Sequence, residues 1–252
     1  MTAYSSLAAW YDELTRDVPY PAFADYYEGL FRARGGETGL ILDLCCGTGS
    51  LACLMAARGY DVIAADASAD MLMSAREKAS ALGVGKMPLF INQSAQELDL
   101  YGTVDAAYSS LDSLSYVPFS DLPEVFRRLR LFIRPGGLLV FDLRTPEFLR
   151  GMDGSVSVDE REDVFCVWRG SYEEAERICY YGMDLFQRQG GLWRRSQEEH
   201  REFAYTLPEL EAYLVQAGFT GIEMFGDRRF APPGPGEQRV YVMAVKEEKH
   251  HG

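Results

Sequence analysis

Ile41-Leu42-Asp43-Leu44-Cys45-Cys46-Gly47-Thr48-Gly49-Ser50 is the stretch that decides the fold of this chain. Its first residues form an apolar run interrupted by one acid, which predicts a buried strand. The two glycines predict a tight turn, because glycine adopts positive φ and lets the backbone approach a ligand closely. A helix is expected from Ser50 to Arg58, with its N-terminal N–H groups directed at that ligand. The stretch therefore predicts a strand, a glycine loop and a helix that together bind a nucleotide-like molecule.

Two kinds of nucleotide ligand are compatible with this glycine loop. Gly47-Thr48-Gly49-Ser50-Leu51-Ala52 fits the dinucleotide pattern G-x-G-x-x-A, which is a weak signal by itself. Asp43 favours a different ligand, because a carboxylate at this place would repel a pyrophosphate. The same carboxylate would attract a cationic ligand that carries an ammonium group and a sulfonium centre. The sulfonium ligand is therefore preferred, and a nicotinamide cofactor is the alternative.

The chain around this stretch alternates between predicted strands and helices. The strands are Leu40–Leu44, Asp61–Ala65, Pro88–Asn92, Val104–Ser109 and Leu138–Leu143, and the helices between them are Ser50–Arg58, Ala69–Leu82 and Asp121–Ile133. This order predicts an α/β fold with a parallel, doubly wound sheet. Pro135-Gly136-Gly137 is expected to form a sharp turn into the fifth strand.

The last part of the chain predicts an antiparallel strand pair. A helix at Leu207–Ala217 is followed by strands at Gly221–Phe225 and Arg239–Val245. The segment between these strands, Pro232-Pro233-Gly234-Pro235-Gly236, is too stiff and irregular for a helix. Without a crossover helix the two strands should pair antiparallel, whereas a dehydrogenase domain would be expected to carry another helix there.

Two segments flank or interrupt the alternating pattern. Residues 4–34 have helical periodicity, and Tyr4, Leu7, Ala8, Tyr11 and Leu14 share one face. Residues 146–205 lack that periodicity and are rich in aromatic residues, which favours antiparallel strands. The expected organisation is an N-terminal helical lid at 1–36, a core at 37–145 and 207–247, and a β-rich insertion at 146–206 near the substrate site.

Composition limits the classes of partner. The formal net charge of −13 argues against a nucleic acid, because a phosphate backbone requires a basic surface. No uninterrupted apolar run is long enough to cross a membrane, and the N-terminus lacks the features of a signal peptide. The five cysteines form no C-x-x-C pair, so neither a disulfide framework nor a metal site is expected. These features predict a cytoplasmic protein with reduced cysteines.

The sequence resembles small bacterial class I S-adenosylmethionine-dependent methyltransferases over nearly its whole length. The resemblance rests on the run from Ile41 to Ser50, on Asp66-Ala67-Ser68-Ala69-Asp70-Met71-Leu72 after the second strand, and on the closing strand pair. It implies a Rossmann-like, mainly parallel seven-stranded sheet with an antiparallel last strand, plus a small antiparallel β insertion before the sixth strand. It also implies S-adenosyl-L-methionine as cofactor and S-adenosyl-L-homocysteine as product.

The resemblance implies particular cofactor contacts. Asp43, with the backbone of Cys45, Gly47 and Gly49, would hold the methionine part of the cofactor. Because Cys45 is not a glycine, its backbone is expected to avoid positive φ. Asp66 would accept hydrogen bonds from both ribose hydroxyls, and its alternative role is to cap the next helix.

Further contacts are implied for the adenine ring, the methyl group and the lid. The implied contacts are Ala67 and Met71 on the adenine ring, Gln93, Ser94 and Ala95 at its edge, Ser110 beside the transferring methyl group, and Tyr11, with Tyr4 and Tyr20, closing over the cofactor. The alternative role of Met71 is core packing, and the alternative role of the tyrosines is packing of their helix onto the sheet.

Two residues are candidates for catalysis. Asp112 follows the fourth strand and would orient an amine or hydroxyl or accept its proton, with the capping of a short turn as its alternative. His200 lies in the last predicted strand of the insertion, facing the same side as Glu198 and opposite Glu199 and Arg201. An imidazole titrates near neutral pH, so His200 is a candidate general base, or else a hydrogen-bonded structural histidine.

The sequence thus predicts an S-adenosylmethionine-dependent methyltransferase that methylates nitrogen or oxygen of a small-molecule acceptor by in-line transfer. The acidic charge and the aromatic insertion weakly favour a cationic or aromatic acceptor. An NAD(P)-dependent oxidoreductase and a non-catalytic S-adenosylmethionine-binding module are the alternatives. A monomer or homodimer is expected, without nucleic acid, membrane or metal as partner.

Overall fold

The structure is a computed structural model that describes residues 7–33, 38–83 and 85–247. Tyr4 lies outside the described residues. The helices are α1 (Tyr11–Leu14), α2 (Tyr20–Ala33), α3 (Ser50–Ala57), α4 (Ala69–Leu82), α5 (Leu122–Phe132), α6 (Pro146–Gly151) and α7 (Leu207–Ala217). The strands are β1 (Leu40–Leu44), β2 (Asp61–Asp66), β3 (Leu89–Asn92), β4 (Val104–Ser109), β5 (Ile133–Arg144), β6 (Val156–Glu160), β7 (Val164–Glu173), β8 (Ile178–Gln189), β9 (Leu192–Phe203), β10 (Thr220–Gly226) and β11 (Arg239–Val245). Short 3₁₀ turns occur at Ala95–Glu97 and Ser113–Tyr116.

Seven strands form the main sheet, in the order β10-β11-β5-β4-β1-β2-β3. Strands β1 to β5 run parallel, and β11 pairs antiparallel with both β5 and β10. The predicted doubly wound sheet with its antiparallel last strand is therefore confirmed. The strand order reverses between β1 and β4, and ligands of open α/β sheets bind outside the carboxyl ends of strands at such a point.

Both faces of this sheet are covered by helices. Ile41 of β1 packs into a core with α2, α3 and α4, whereas Leu42 and Leu44 pack into a second core with α5 and α7. These three side chains are at most 1% exposed, which agrees with the buried strand predicted from the sequence. The double burial holds the carboxyl end of β1, and the glycine loop after it, in a fixed position.

A second sheet has the order β6-β7-β8-β9 and is antiparallel throughout. In β9, Glu199 and Arg201 are exposed and form an ion pair of 3.1 Å, while His200 is buried on the opposite face. The predicted alternation along this strand is confirmed. Leu7 packs against the apolar side chains of β7 and β8, so the start of the described chain lies on this sheet.

Three local predictions differ from the structure. Pro135-Gly136-Gly137 lies inside β5, where the pairing with β4 is irregular and Gly136 takes φ 75° while donating its N–H to the carbonyl of Lys246. Residues 146–205 include a helix, α6, which begins after Thr145 and is capped by its side chain. Among the described residues of the N-terminal segment, the α-helical ones lie in α1 and α2, and Pro19 lies between these two helices.

Within the described residues, no helix is long and apolar enough to span a bilayer.

Candidate active site

A cavity of about 340 Å³ opens at the carboxyl ends of β1, β2, β3 and β4. This is the edge of the sheet at which the strand order reverses. Nine of the residues predicted to bind a cofactor line it: Tyr11, Cys45, Gly47, Asp66, Ala67, Met71, Ser94, Ala95 and Ser110. The remaining predicted residues Asp43, Gly49 and Gln93 do not line it, and each has a different structural reason.

The glycine loop contradicts the expectation for Cys45, whose φ is +60°. A left-handed conformation costs a residue with a side chain roughly 1–2 kcal/mol. The turn is held because the next residue, Cys46, donates its N–H to the carbonyl of Ala65 at 3.0 Å, which ties the loop to the end of β2. Burial raises the pKa of the Cys45 thiol, so the side chain stays neutral beside the cavity.

Gly49 begins α3 and serves the packing of the loop rather than its contact with a ligand. It takes φ +70°, and an added Cβ would lie 3.0 Å from the Cβ of Ala75 and 3.1 Å from the ring of Phe90. Gly47 also has positive φ, +55°, but an added Cβ there would meet nothing within 4 Å. The two glycines are therefore required for different reasons.

Gly49→Ala should lower the free energy of unfolding by about 2–4 kcal/mol, because it adds a steric clash to the cost of positive φ. Gly47→Ala is the matched control and should cost only about 1–2 kcal/mol, since its side chain enters open space. Urea denaturation of the unliganded protein measures both values. Equal losses in the two variants would contradict the packing role of Gly49.

Asp66 connects the glycine loop to the start of α4. One carboxylate oxygen accepts the N–H of Gly47 at 2.8 Å, and the other accepts the N–H of Ser68 at 2.8 Å. Ser68, and not Asp66, is the N-cap of α4, because its hydroxyl accepts the N–H of Met71. Burial raises the pKa of Asp66, and the two backbone N–H groups oppose that rise. Each oxygen retains a further lone pair on the cavity side for a ligand hydroxyl.

Asp43 is fully buried behind the glycine loop, and neither of its carboxylate oxygens has a hydrogen-bond partner among the described residues. Burial raises its pKa to about 8, and the neighbouring charge of Asp66 adds to the rise. The Tyr108 hydroxyl opposes this rise in pKa, although the two groups do not reach hydrogen-bond geometry. A buried carboxyl left in this state is suited to a ligand that brings positive charge or N–H donors.

The β3 end of the cavity differs from the prediction at Gln93. Its side-chain amide bonds both the N–H and the carbonyl of Asp99, at 3.0 and 3.1 Å, and so closes its own loop. Gln96 lines the cavity instead, next to Ser94 and Ala95. Met71 is 2% exposed and lines the opposite part of the cavity with Ala67, so its side chain forms the wall of the site.

The β4 loop (residues 110–117) forms the side of the cavity next to the second sheet. Leu111 and Asp112 both have positive φ, +55° and +53°. Their N–H groups donate to the carboxylate of Asp142 at 3.0 and 3.1 Å, which holds this unfavourable backbone in place. Asp142 is fully buried and also accepts hydrogen bonds from Tyr27 and Arg239.

Asp112 does not line the cavity. Its carboxylate forms an ion pair with Arg239, and a second guanidinium, that of Arg144, lies 3.8 Å away. The Asp112 side chain makes no capping hydrogen bond to the 3₁₀ turn that follows it. Its surroundings are those of a partly buried ion pair that supports the β4 loop.

His200 lies behind the cavity wall, 2% exposed, with Nε2 3.5 Å from a carboxylate oxygen of Glu198. Its ring packs edge-on against Tyr116, with centroids 6.1 Å apart, and also against Trp168. Tyr116 lines the cavity, whereas His200 does not. Tyr116 is a cavity residue that the sequence did not predict, because no pattern around it indicates a site.

Comparison with known proteins agrees with this geometry. Residues 41–137, which carry the glycine loop, Asp66 and the β4 loop, match the model of a family described as "Methyltransferase domain". Residues 41–137 therefore form a methyltransferase domain, and the chain has the fold of class I S-adenosylmethionine-dependent methyltransferases. The methyltransferase shares 29% identity over 247 residues with a protein of Geobacillus sp. (strain WCH70) named "Putative methyltransferase GWCH70_2453", covering 96% of this chain and 99% of the relative. It shares 29% identity over 246 residues with "Putative methyltransferase YqeM" of Bacillus subtilis (strain 168), covering 96% and 97%.

Solved structures show the same fold in this methyltransferase and in more distant proteins. An S-adenosylmethionine-dependent methyltransferase from Clostridium acetobutylicum ATCC 824 superposes with a TM-score of 0.86 at 24% identity, covering 98% of this chain and 100% of that one. The sugar N-methyltransferase KedS8 from Streptoalloteichus sp. ATCC 53650 superposes with a TM-score of 0.76 at 20% identity, covering 93% and 90%.

The cofactor of the methyltransferase is S-adenosylmethionine, and the residues of the cavity fit it. The fit rests on Asp43, a buried carboxyl whose two oxygens have no partner among the described residues and which a cationic amino acid group would satisfy. It rests also on Asp66, a carboxylate that lines the cavity. A nicotinamide cofactor, the alternative that the sequence left open, is not supported, because these carboxylates would repel its pyrophosphate.

Proposed function

We propose that this methyltransferase acts on a nitrogen or oxygen of a small-molecule acceptor. The observation that carries the proposal is the position of the cavity, which lies between the N-terminal segment at Tyr11 and the β4 loop at Tyr116, beside the second sheet. A cavity of this size has room for a small molecule. The net charge of −13 further disfavours a nucleic acid acceptor.

Two of the proteins that share the fold are described as acting on amino-bearing small molecules. KedS8 is described as a sugar N-methyltransferase, and CalS10 from Micromonospora echinaspora as an amino pentose methyltransferase, with a TM-score of 0.72 at 20% identity. These descriptions support a small acceptor for this chain.

Within this proposal each part of the chain has a role. Residues 1–36 act as a lid, 37–145 and 207–247 as the cofactor-binding core, and 146–206 as the part that shapes the acceptor side. Asp43 and the glycine-loop backbone hold the methionine part of the cofactor, and Asp66 holds the ribose. The remaining contacts are Ala67 and Met71 on one face of the adenine, Ser94, Ala95 and Gln96 at its edge, and Ser110 beside the methyl group.

The bound cofactor supplies a methyl group that its sulfonium centre has activated. The protein's contribution is to orient the acceptor and to exclude water, and orientation alone can contribute roughly 7–11 kcal/mol. The β4 loop suits this task because two residues in a left-handed conformation are locked by the buried Asp142, so the loop is rigid before the acceptor arrives. Tyr11 and Tyr116 bound the space left for the acceptor.

A transfer assay with methyl-labelled S-adenosylmethionine and a panel of small amines, phenols and carboxylic acids tests the proposal. We expect label in at least one amine or hydroxyl acceptor, and loss of that transfer in Asp43→Asn. Titration with NADH, followed by its fluorescence, should show no binding. Binding of S-adenosylmethionine without transfer to any acceptor would favour a non-catalytic binding module, and binding of NADH would favour an oxidoreductase.

A further inference from the structure

The Lys78 side chain joins separate parts of the chain beside the cofactor cavity. Its ammonium group lies 2.7 Å from a carboxylate oxygen of Asp12 in α1, 3.0 Å from the hydroxyl of Thr48 in the glycine loop, and 2.6 Å from the hydroxyl of Ser50 at the start of α3. An ammonium group has three hydrogens and no lone pair, so these bonds use its whole capacity. Lys78 lies on α4 and does not line the cavity, whereas Thr48 and Ser50 do.

The hydroxyl groups of Thr48 and Ser50 are used differently in this cluster. Both accept a hydrogen bond from Lys78, because lysine can only donate. Thr48 also donates its single hydroxyl hydrogen to Asp12, at 2.6 Å, so it has none left for a ligand. The hydroxyl hydrogen of Ser50 is not used by Lys78, and it diverges from the lone pair that Lys78 occupies. Ser50 is therefore the hydroxyl of this cluster that can donate into the cavity.

The methionine part of the cofactor carries a carboxylate as well as an ammonium group, and the carboxylate needs a partner in the cavity. When ionised, Asp43 and Asp66 repel it. No lysine or arginine of the described residues lines the cavity. The partner must therefore be an uncharged donor with a positive charge close behind it. Ser50 backed by Lys78 is such a donor.

The surroundings of Ser50 favour a negatively charged group. The side chain of Lys78 is 18% exposed, whereas that of Asp12, which carries the compensating charge, is 49% exposed. Solvent therefore screens the negative member of this ion pair more strongly than the positive one. The helix α3 begins at Ser50 and has no acidic residue in its first turn, so the partial positive charge of its N-terminus adds to that of Lys78.

We propose that Ser50 donates its hydroxyl hydrogen to the carboxylate of the cofactor and that Lys78 is the positioning residue behind it. Lys78 occupies one lone pair of the Ser50 oxygen, which directs the hydrogen to the cavity side and makes the hydroxyl a stronger donor. The proposal rests on the proposed cofactor contacts and adds a partner for the carboxylate. It does not depend on the identity of the methyl acceptor.

Tyr20 is the alternative donor, because it also lines the cavity. Burial raises the pKa of its phenol, and the hydroxyl groups of Thr15 and Ser50 oppose that rise. Ser50 is thus close to a second hydroxyl of the cavity wall. A carboxylate is a charged acceptor and forms a stronger hydrogen bond with Ser50 than a neutral phenol does. The experiment nevertheless has to separate the two residues.

Calorimetric titration of the full-length protein with two ligands tests the proposal. The ligands are S-adenosylhomocysteine and its decarboxylated analogue, in which a hydrogen replaces the carboxylate. The ratio of their dissociation constants reports on the carboxylate alone, because looser packing of α1 or of the glycine loop weakens both ligands alike. Ser50→Ala should lower the preference for S-adenosylhomocysteine by about 10- to 100-fold, since a hydrogen bond to a charged group is lost. Lys78→Met should lower it by about tenfold, because the serine keeps its hydroxyl but loses the charge that positions it.

Lys86→Met is the matched control, because Lys86 is exposed and pairs with Asp61 at the surface. It should leave the ratio within about twofold of the wild-type value. The proposal is overturned if Ser50→Ala or Lys78→Met leaves the ratio unchanged, or if Lys86→Met lowers it as much as Lys78→Met does. It is also overturned if Tyr20→Phe lowers the ratio while Ser50→Ala does not.

These outcomes are distinct from those that test the proposed function. If no acceptor is methylated, the proposed acceptor class fails, whereas the ratio still decides the role of Ser50 and Lys78. If the wild type binds neither ligand, the proposed cofactor contacts fail and this proposal fails with them.

Discussion

Asp43→Asn should weaken the binding of S-adenosylmethionine by about 10- to 150-fold. The variant removes the buried carboxyl that we assign to the cofactor's ammonium group, and a hydrogen bond to a charged group contributes about 1.5–3 kcal/mol. Asparagine has nearly the same shape, so the unliganded protein should fold normally. Calorimetric titration measures the affinity. Asp70→Asn, which removes an exposed carboxylate from the first turn of α4, is the control and should bind as the wild type does.

The same carboxyl gives this binding a definite pH dependence. Because burial raises the pKa of Asp43 to about 8, the group is largely protonated at neutral pH and must ionise when a cation binds. The affinity should therefore rise by up to about tenfold per pH unit from pH 6 towards pH 8 and level off above it, with release of a proton. Equal affinity in Asp43→Asn and wild type, or a flat pH profile in the wild type, would contradict the assignment.

The stability of the unliganded protein should change in the opposite direction. An aspartate whose folded pKa lies above its unfolded value binds more protons when folded. Its contribution to stability is present below about pH 4 and is lost as the pH rises towards 8. The cofactor should thus bind most tightly in the range in which the unliganded site is least stable.

Asp142→Ala should lower the free energy of unfolding by about 3–5 kcal/mol, because removing one member of a buried ion pair leaves the other charge unpaired. Asp142 is fully buried and accepts hydrogen bonds from Tyr27 at 2.9 Å, from the backbone N–H groups of Leu111 and Asp112, and from Arg239. Arg239 is itself only 6% exposed. Urea denaturation, extrapolated to water, measures the loss.

An exposed ion pair provides the comparison for Asp142. Glu124→Ala removes a carboxylate that pairs with Arg127 and Arg128 on the surface of α5, and the expected loss is only a small fraction of that in Asp142→Ala, because solvent screens the exposed pair. Adding Arg239→Met to Asp142→Ala should recover part of the lost stability, since the stranded charge is then removed. A loss below 1 kcal/mol in Asp142→Ala would contradict the role of this carboxylate as the centre of the network.

The sheet and the cofactor wall could be predicted because their signals are local. The sequence predicted the correct ends of one strand and one helix, Leu40–Leu44 and Ala69–Leu82. The signals that mark these ends are the spacing of the apolar residues, the glycines and the helix caps, and all of them lie in or next to the segments themselves. The position of Asp66 in the cavity could be predicted, because the residue lies at the end of a strand. The position of the Gln93 side chain could not be predicted, because its amide forms hydrogen bonds with the backbone of Asp99, which only the folded loop brings close.

The acceptor side depends on contacts between distant parts of the chain. Asp142 and Arg239 are 97 residues apart, and their pairing follows from the antiparallel register of β11 with β5. The contact of the Tyr116 ring with His200 depends on how the second sheet packs on the β4 loop. No periodicity or spacing carries that information, so the sequence favoured Asp112 and His200, which lie behind the wall.

The crystal structure of the complex with S-adenosylhomocysteine is the most direct measurement of the central claim. The account predicts the amino group of the ligand on the Asp43 side of the glycine loop, the ribose hydroxyls at Asp66, and the adenine between Met71 and Ala95. A ligand bound elsewhere, or bound in this cavity with its ribose away from Asp66 and its amino group away from Asp43, would contradict the account.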